Sequence, residues 1–151
     1  VVALRPWGSD FFRLERDPAD VFTALPSAVH EGVVRAYISG ASHRGLRPDA
    51  LDALTLPWLD DVGQAAFYRQ FAEADEIFTD QVEPSYQAID VPVLVVWGRD
   101  HPWIPIDRAH RLHELIPGAR LTIIEQAGHL IQLDQPEALT AALTQWLVGR
   151  E

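Results

Sequence analysis

Two apolar runs in this chain end in residues that could move a proton. Val91-Pro92-Val93-Leu94-Val95-Val96-Trp97-Gly98 is followed by Arg99-Asp100-His101-Pro102, and Arg120-Leu121-Thr122-Ile123-Ile124-Glu125 by Gln126-Ala127-Gly128-His129. An imidazole titrates near neutral pH, so His129 suits a base that takes a proton from a nucleophile or from water. Gly128 before it permits a sharp turn that brings the ring to the end of a sheet. A carboxylate such as Asp100 could orient that imidazole and stabilise its cation. A nucleophile turn of the form Gly-x-Ser-x-Gly, Gly-x-Asp-x-Gly or Gly-x-Cys-x-Gly does not occur in the sequence.

The elements that must position these residues lie in the last third of the chain. Val91 to Trp97 is apolar throughout and rich in β-branched valine, the pattern of a strand buried on both faces of a parallel sheet. Pro105 precedes a helix with Ala109, Leu112, Leu115 and Ile116 inward, and Pro117-Gly118 ends it. Leu121 to Ile124 is the next strand. Asp134, Pro136 and Glu137 read as a capping box opening a last helix, with Leu139, Leu143, Trp146 and Leu147 as its apolar face. Two such strands leave apolar edges open, so this βαβα unit needs more sheet than the chain supplies.

Residues 9–89 read differently, as short helices without a convincing strand. Asp17-Pro18 is a helix start, and Pro26 ends that helix. A second begins near Ser27 with Val29, Val33, Val34, Tyr37 and Ile38 on one face and stops at Gly40. Pro48 opens a third carrying Leu51 and Leu54. A longer one follows from about Leu59, with Phe67, Phe71 and Ala74 aligned. Thr79 is placed as the cap of a last helix toward Ile89, which Pro84 interrupts.

The group Trp97-Gly98-Arg99-Asp100-His101-Pro102-Trp103-Ile104-Pro105, then Ile116-Pro117-Gly118-Ala119, Gln126-Ala127-Gly128-His129-Leu130 and Gln135-Pro136-Glu137 resembles the C-terminal part of the α/β-hydrolase superfamily. The likeness is to the branch of haloalkane dehalogenases, epoxide hydrolases and C–C bond hydrolases. It implies an α/β fold of which this chain holds the last two parallel strands and flanking helices. Residues 1–8 would be the end of the sixth strand and its exit, 9–89 a helical cap, and 90–151 the βαβα part of the core. It further implies covalent nucleophile–His–acid hydrolysis of a small, fairly apolar substrate. The nucleophile would lie in an N-terminal half not present in the chain. The absence of any methionine and the opening on Val1-Val2-Ala3-Leu4 fit a chain trimmed or split from that half.

In this frame His129 is the base. For the acid, the family pattern places a carboxylate three residues after the glycine that ends the seventh strand. That residue is His101, and Asp100 stands one earlier. Three readings stay open: Asp100 is the acid, the acid follows the sixth strand outside this chain, or the triad is incomplete. Trp103, His101 and Trp7 are the candidate substrate contacts. Trp58, Phe11, Phe12, Phe67, Tyr68 and Phe71 serve either a pocket wall or ordinary core packing.

Composition excludes several classes. Without cysteine there is no disulfide, thiolate nucleophile or Cys-type zinc site. His101, Asp100 and His129 lack the spacing of a three- or four-ligand zinc site, so no metal is expected, and no cofactor. Twelve basic against 22 acidic residues, a net charge of −10, argue against nucleic acid or an anionic membrane as partner. Arg108, His110, Arg111 and His113 read as a solvated helix face. With no signal peptide or apolar span of membrane length, the cytoplasm is the default location. Expected partners are the N-terminal half and a small-molecule substrate. A homodimer joined through the open sheet edge is a further reading, and a non-catalytic binding or interaction protein of the same fold is the alternative function.

Overall fold

The computed structural model describes Leu4 and residues 19–149. The expectations placed on Trp7, Phe11, Phe12 and Asp17-Pro18 lie outside the described residues. The chain forms two compact units. Of the described residues, one comprises 19–40 and 45–75, and the other Leu4, 41–44 and 76–149. The segment from Glu76 to Ala88, inside the 9–89 span read as a cap, clusters with the second of these.

The helical unit contains α1 (Ala19–Thr23), α2 (Ser27–Ser39), α3 (Pro48–Thr55), a 3₁₀ turn (Leu56–Trp58) and α4 (Asp61–Ala72). Helix α4 starts two residues later than Leu59 because Asp60 caps it, accepting from the Gly63 N–H at 2.6 Å. A Cβ on Gly63 would stand 2.4 Å from the Pro57 carbonyl oxygen, so glycine is what lets α4 pass so close to the turn before it. Phe67, Tyr68 and Phe71 of α4 meet Val34 of α2 in the core, with Phe22, Leu25, Tyr37 and Trp58 packed around them. Core packing therefore claims the first three. Their rings meet edge to face: Phe67 and Tyr68 lie 5.2 Å apart at 88°, Tyr37 and Phe71 5.3 Å apart at 89°.

Val33, Val34, Tyr37 and Ile38 form the inward face of α2 as their spacing marks it, and Val29 alone departs from it. Val29 is exposed, and its neighbour His30 is completely buried. The ring satisfies both nitrogens there: Nε2–H donates to the Trp58 carbonyl at 2.7 Å, which leaves Nδ1 to accept from the Tyr68 hydroxyl at 2.9 Å. A buried polar group costs stability unless so paired.

The second unit contains α5 (Glu76–Val82), a 3₁₀ stretch (Glu83–Ala88), β1 (Leu94–Gly98), α6 (Asp107–Leu115), β2 (Arg120–Ile124), α7 (Ile131–Asp134) and α8 (Pro136–Val148). Thr79 sits buried in the middle of α5 rather than at a helix start, and Pro84 falls in the first turn of the 3₁₀ stretch. Strands β1 and β2 pair in parallel, Leu94 opposite Arg120 through Gly98 opposite Ile124. Helix α6 makes the crossover and packs on both strands, with Ala109 and Leu112 buried on the helix and Val95, Trp97 and Ile124 buried on the strands. Burial along β1 alternates: Val95 and Trp97 are buried, Leu94 and Val96 half-buried. Full burial on both faces, expected from the apolar run, is thus not reached among the described residues. Helix α8 runs beside both strands, yet Leu143 and Leu147 of its apolar face are exposed.

Replacing Tyr68 by Phe removes the donor to His30 Nδ1 with little change in shape. It should destabilise the helical unit by about 1–3 kcal/mol, read as a lower urea midpoint by circular dichroism.

Candidate active site

The turns after β1 and β2 are zipped together. Arg99 N–H donates to the Ile124 carbonyl at 2.9 Å and Asp100 N–H to the Ala127 carbonyl at 3.0 Å. The turn after β2 pivots at Gln126, which adopts φ 53°. Gly98 has backbone close against its side: a Cβ there would stand 2.4 Å from the Ala127 carbonyl oxygen and 2.5 Å from that of Gly128. Any larger residue at the end of β1 would push away the turn that carries His129.

The Gly128-His129 turn is held from a second direction by residues 41–44. His129 N–H donates to the Ala41 carbonyl at 2.8 Å, and a Cβ on Gly128 would stand 2.8 Å from the same oxygen. Asp134 joins the two segments. Its buried carboxylate accepts from the Gly128 N–H at 2.7 Å, the His43 N–H at 3.0 Å, the Arg44 N–H at 3.3 Å and the Ser42 hydroxyl. Burial alone would raise its pKa, but the Ser42 hydroxyl and the three amides outweigh that and hold it below the usual carboxylate range. The capping box read from Asp134, Pro136 and Glu137 is not formed: Gln135 stands at the start of α8, and no side chain caps it. A carboxylate offered four converging donors in a buried site is better satisfied there than at an exposed helix start.

The half-buried His129 ring lies between two others. His129 Nδ1 is 3.0 Å from His101 Nε2, with ring centroids 4.9 Å apart at 79°. The Trp103 ring is 4.9 Å from that of His129 on another side. Trp97 stacks on His101 at 5.5 Å and 29°. His101 Nδ1 accepts from the backbone N–H groups of Ile104 at 3.0 Å and Trp103 at 3.2 Å. The Asp100 carboxylate points elsewhere, with Oδ2 3.8 Å from His43 Nε2. Among the described residues it makes no hydrogen bond to His129.

The structure therefore brings together His129, His101 and Trp103, and leaves Asp100 with His43. Residues 41–44 and Asp134 were not singled out from the sequence as parts of the site. Nothing local in Ala41-Ser42-His43-Arg44 announces a contact about 90 residues away; the one signal was Asp134, whose carboxylate has a second use besides capping.

Burial favours the uncharged form of both rings. Burial, and then the neighbouring His129, lower the pKa of His101 to about 4, and burial lowers that of His129. Among the described residues no group of three or more His, Asp or Glu side chains could hold a metal ion. No described helix is long and apolar enough to cross a membrane.

With fold and site in view, the comparisons with known proteins place the chain in a family. Residues 2–143 match the model of the alpha/beta hydrolase family, and the chain belongs to it. The crystal structure of an alpha/beta hydrolase fold protein from Burkholderia ambifaria superposes with a TM-score of 0.90 at 41% identity, over 94% of this chain and 53% of that one. Carboxylesterase YbfK of Bacillus subtilis is 35% identical over 77 residues, which are 48% of this chain and 24% of the esterase. Epoxide hydrolase A of Mycobacterium tuberculosis is 33% identical over 90 residues, 59% of this chain and 27% of that enzyme. The matched region thus spans about half of the solved structure and a quarter of each curated relative. The two parallel strands and their helices are part of an α/β-hydrolase fold.

Two outcomes test this geometry. The folded pKa of His101 lies below its ordinary value of 6.5, so its contribution to stability is fully present above that pH. It is lost as the pH falls from there toward about 4. Denaturant midpoints should drop across that window, and less steeply in His101→Asn. Gly98→Ala should cost about 1–3 kcal/mol by the same measurement, because backbone on the far side must move.

Proposed function

We propose that this chain carries the histidine of an α/β-fold hydrolase whose nucleophile lies in an N-terminal part outside it. In the complete protein the nucleophile would attack a small, fairly apolar substrate, with residues 9–89 as the cap. Backbone N–H groups at the nucleophile turn would hold the developing oxyanion. His129 would exchange the proton through Nε2, the ring nitrogen that does not face His101. The observation that carries this reading is the placement of His129 beyond β2, on a turn fixed by Gly98, Ala41 and Asp134 together. So many constraints on one half-buried imidazole are what proton transfer at a defined point requires. The esterase and epoxide hydrolase named above support hydrolysis as the reaction class. The proposed partners are the N-terminal part and the substrate, without nucleic acid or membrane.

A second reading is favoured by one specific observation. The group that meets His129 Nδ1 is an imidazole, where the nucleophile–His–acid mechanism uses a carboxylate. A non-catalytic binding protein of the same fold would tolerate that substitution.

Hydrolysis of p-nitrophenyl butyrate and of simple epoxides and haloalkanes by the complete protein separates the two. His129→Ala should lower kcat/KM at least about 100-fold on whichever probe is turned over. Retained activity in the variant removes His129 from the mechanism, and a complete protein inert toward every probe favours the binding reading.

A further inference from the structure

The hydrogen bonds around His101 decide where the protons of both rings sit. His101 Nδ1 faces two backbone N–H groups, those of Trp103 and Ile104, at 3.2 and 3.0 Å. A nitrogen that accepts two donors carries no proton of its own, so the proton of neutral His101 is on Nε2. That N–H points at His129 Nδ1, 3.0 Å away, and makes it the acceptor. The single proton of neutral His129 is then on Nε2. The chain of donors starts in the backbone, which cannot reverse its direction.

We infer that His101 is a positioning residue that holds His129 in the tautomer with its proton on Nε2, and so withholds the base capacity of the ring. The inference rests on the reading of His129 as the proton-transferring group. In that tautomer the outward nitrogen is a donor, and it cannot take a proton from a nucleophile or from water. Freeing Nε2 needs the proton on Nδ1, where it would oppose His101 Nε2–H. Moving the His101 proton away in turn sets it against the two backbone donors. Protonating the His129 ring meets the same opposition. Burial, which lowers the pKa of both rings, works in the same direction. The wild-type protein should then turn over slowly, through the minor fraction in which the pair is broken.

The arrangement also specifies its reversal. Two backbone N–H groups and a ring nitrogen converge on the place of the His101 side chain. A carboxylate turned toward His129 would accept from Nδ1–H, leaving Nε2 bare. His101→Asp should therefore move the His129 proton from Nε2 to Nδ1 and raise kcat at least tenfold, with KM changing less than about threefold.

The test is a long-range proton–nitrogen correlation spectrum of the complete protein, labelled with ¹⁵N in histidine, beside its rate on p-nitrophenyl butyrate. A protonated Nε2 and bare Nδ1 on both rings of the wild type support the inference; a protonated His129 Nδ1 overturns it without any variant being needed. In His101→Asp, a proton that stays on His129 Nε2 overturns it, and so does a relocated proton with kcat unchanged. If the wild-type tautomer is as stated while His129→Ala retains activity, the hydrolase reading fails and the tautomer assignment stands.

Discussion

The site depends on one carboxylate. Asp134 is buried among three backbone amides and a hydroxyl drawn from two segments far apart in sequence, Ser42 to Arg44 and Gly128. A carboxylate in that setting stays ionised because each donor stabilises the charge, and removing it would leave several buried donors unpaired. The consequence is mechanical. The turn bearing His129 cannot drift from the 41–44 segment, and the segment cannot leave the turn. Gly98 sets the limit on the other side, where backbone approaches so closely that no Cβ fits. The imidazole is thus aimed by backbone and by a group that never touches it.

Chemistry at His129 is decided by a second, smaller constraint. The two amides that follow His101 fill its Nδ1, and that choice passes through the ring to His129. A one-residue difference in the turn after β1 separates a carboxylate that faces His43 from an imidazole that faces His129. Membership of the alpha/beta hydrolase family defines the scaffold but not this detail. Which group stands behind the histidine bears directly on whether the scaffold hydrolyses or only binds.

Much of this was legible in the chain. The valine-rich apolar run to Trp97 and the shorter run to Ile124 mark two strands, because short runs rich in β-branched residues favour extended backbone. The Gly128-His129 pair after the second run marks the turn. The helical character of residues 19–75 follows from apolar spacing and from Pro26, Gly40 and Pro48. Other features were not legible, for physical reasons. His30 faces inward because two partners, 28 and 38 residues away, satisfy its nitrogens. Asp134 leaves its capping pattern because better donors reach it from another part of the chain. Which of Asp100 and His101 turns toward His129 depends on the direction of a single turn, which residue spacing does not fix.

The most direct test of the anchoring role is amide hydrogen exchange in the complete protein and its Asp134→Ala variant. The amides of Gly128, His129, His43 and Arg44 should lose protection together, while those of α2 and α4 keep theirs. Unchanged protection at Gly128 and His43 would contradict this role, and would mean that the turn carrying His129 is held by something other than this carboxylate.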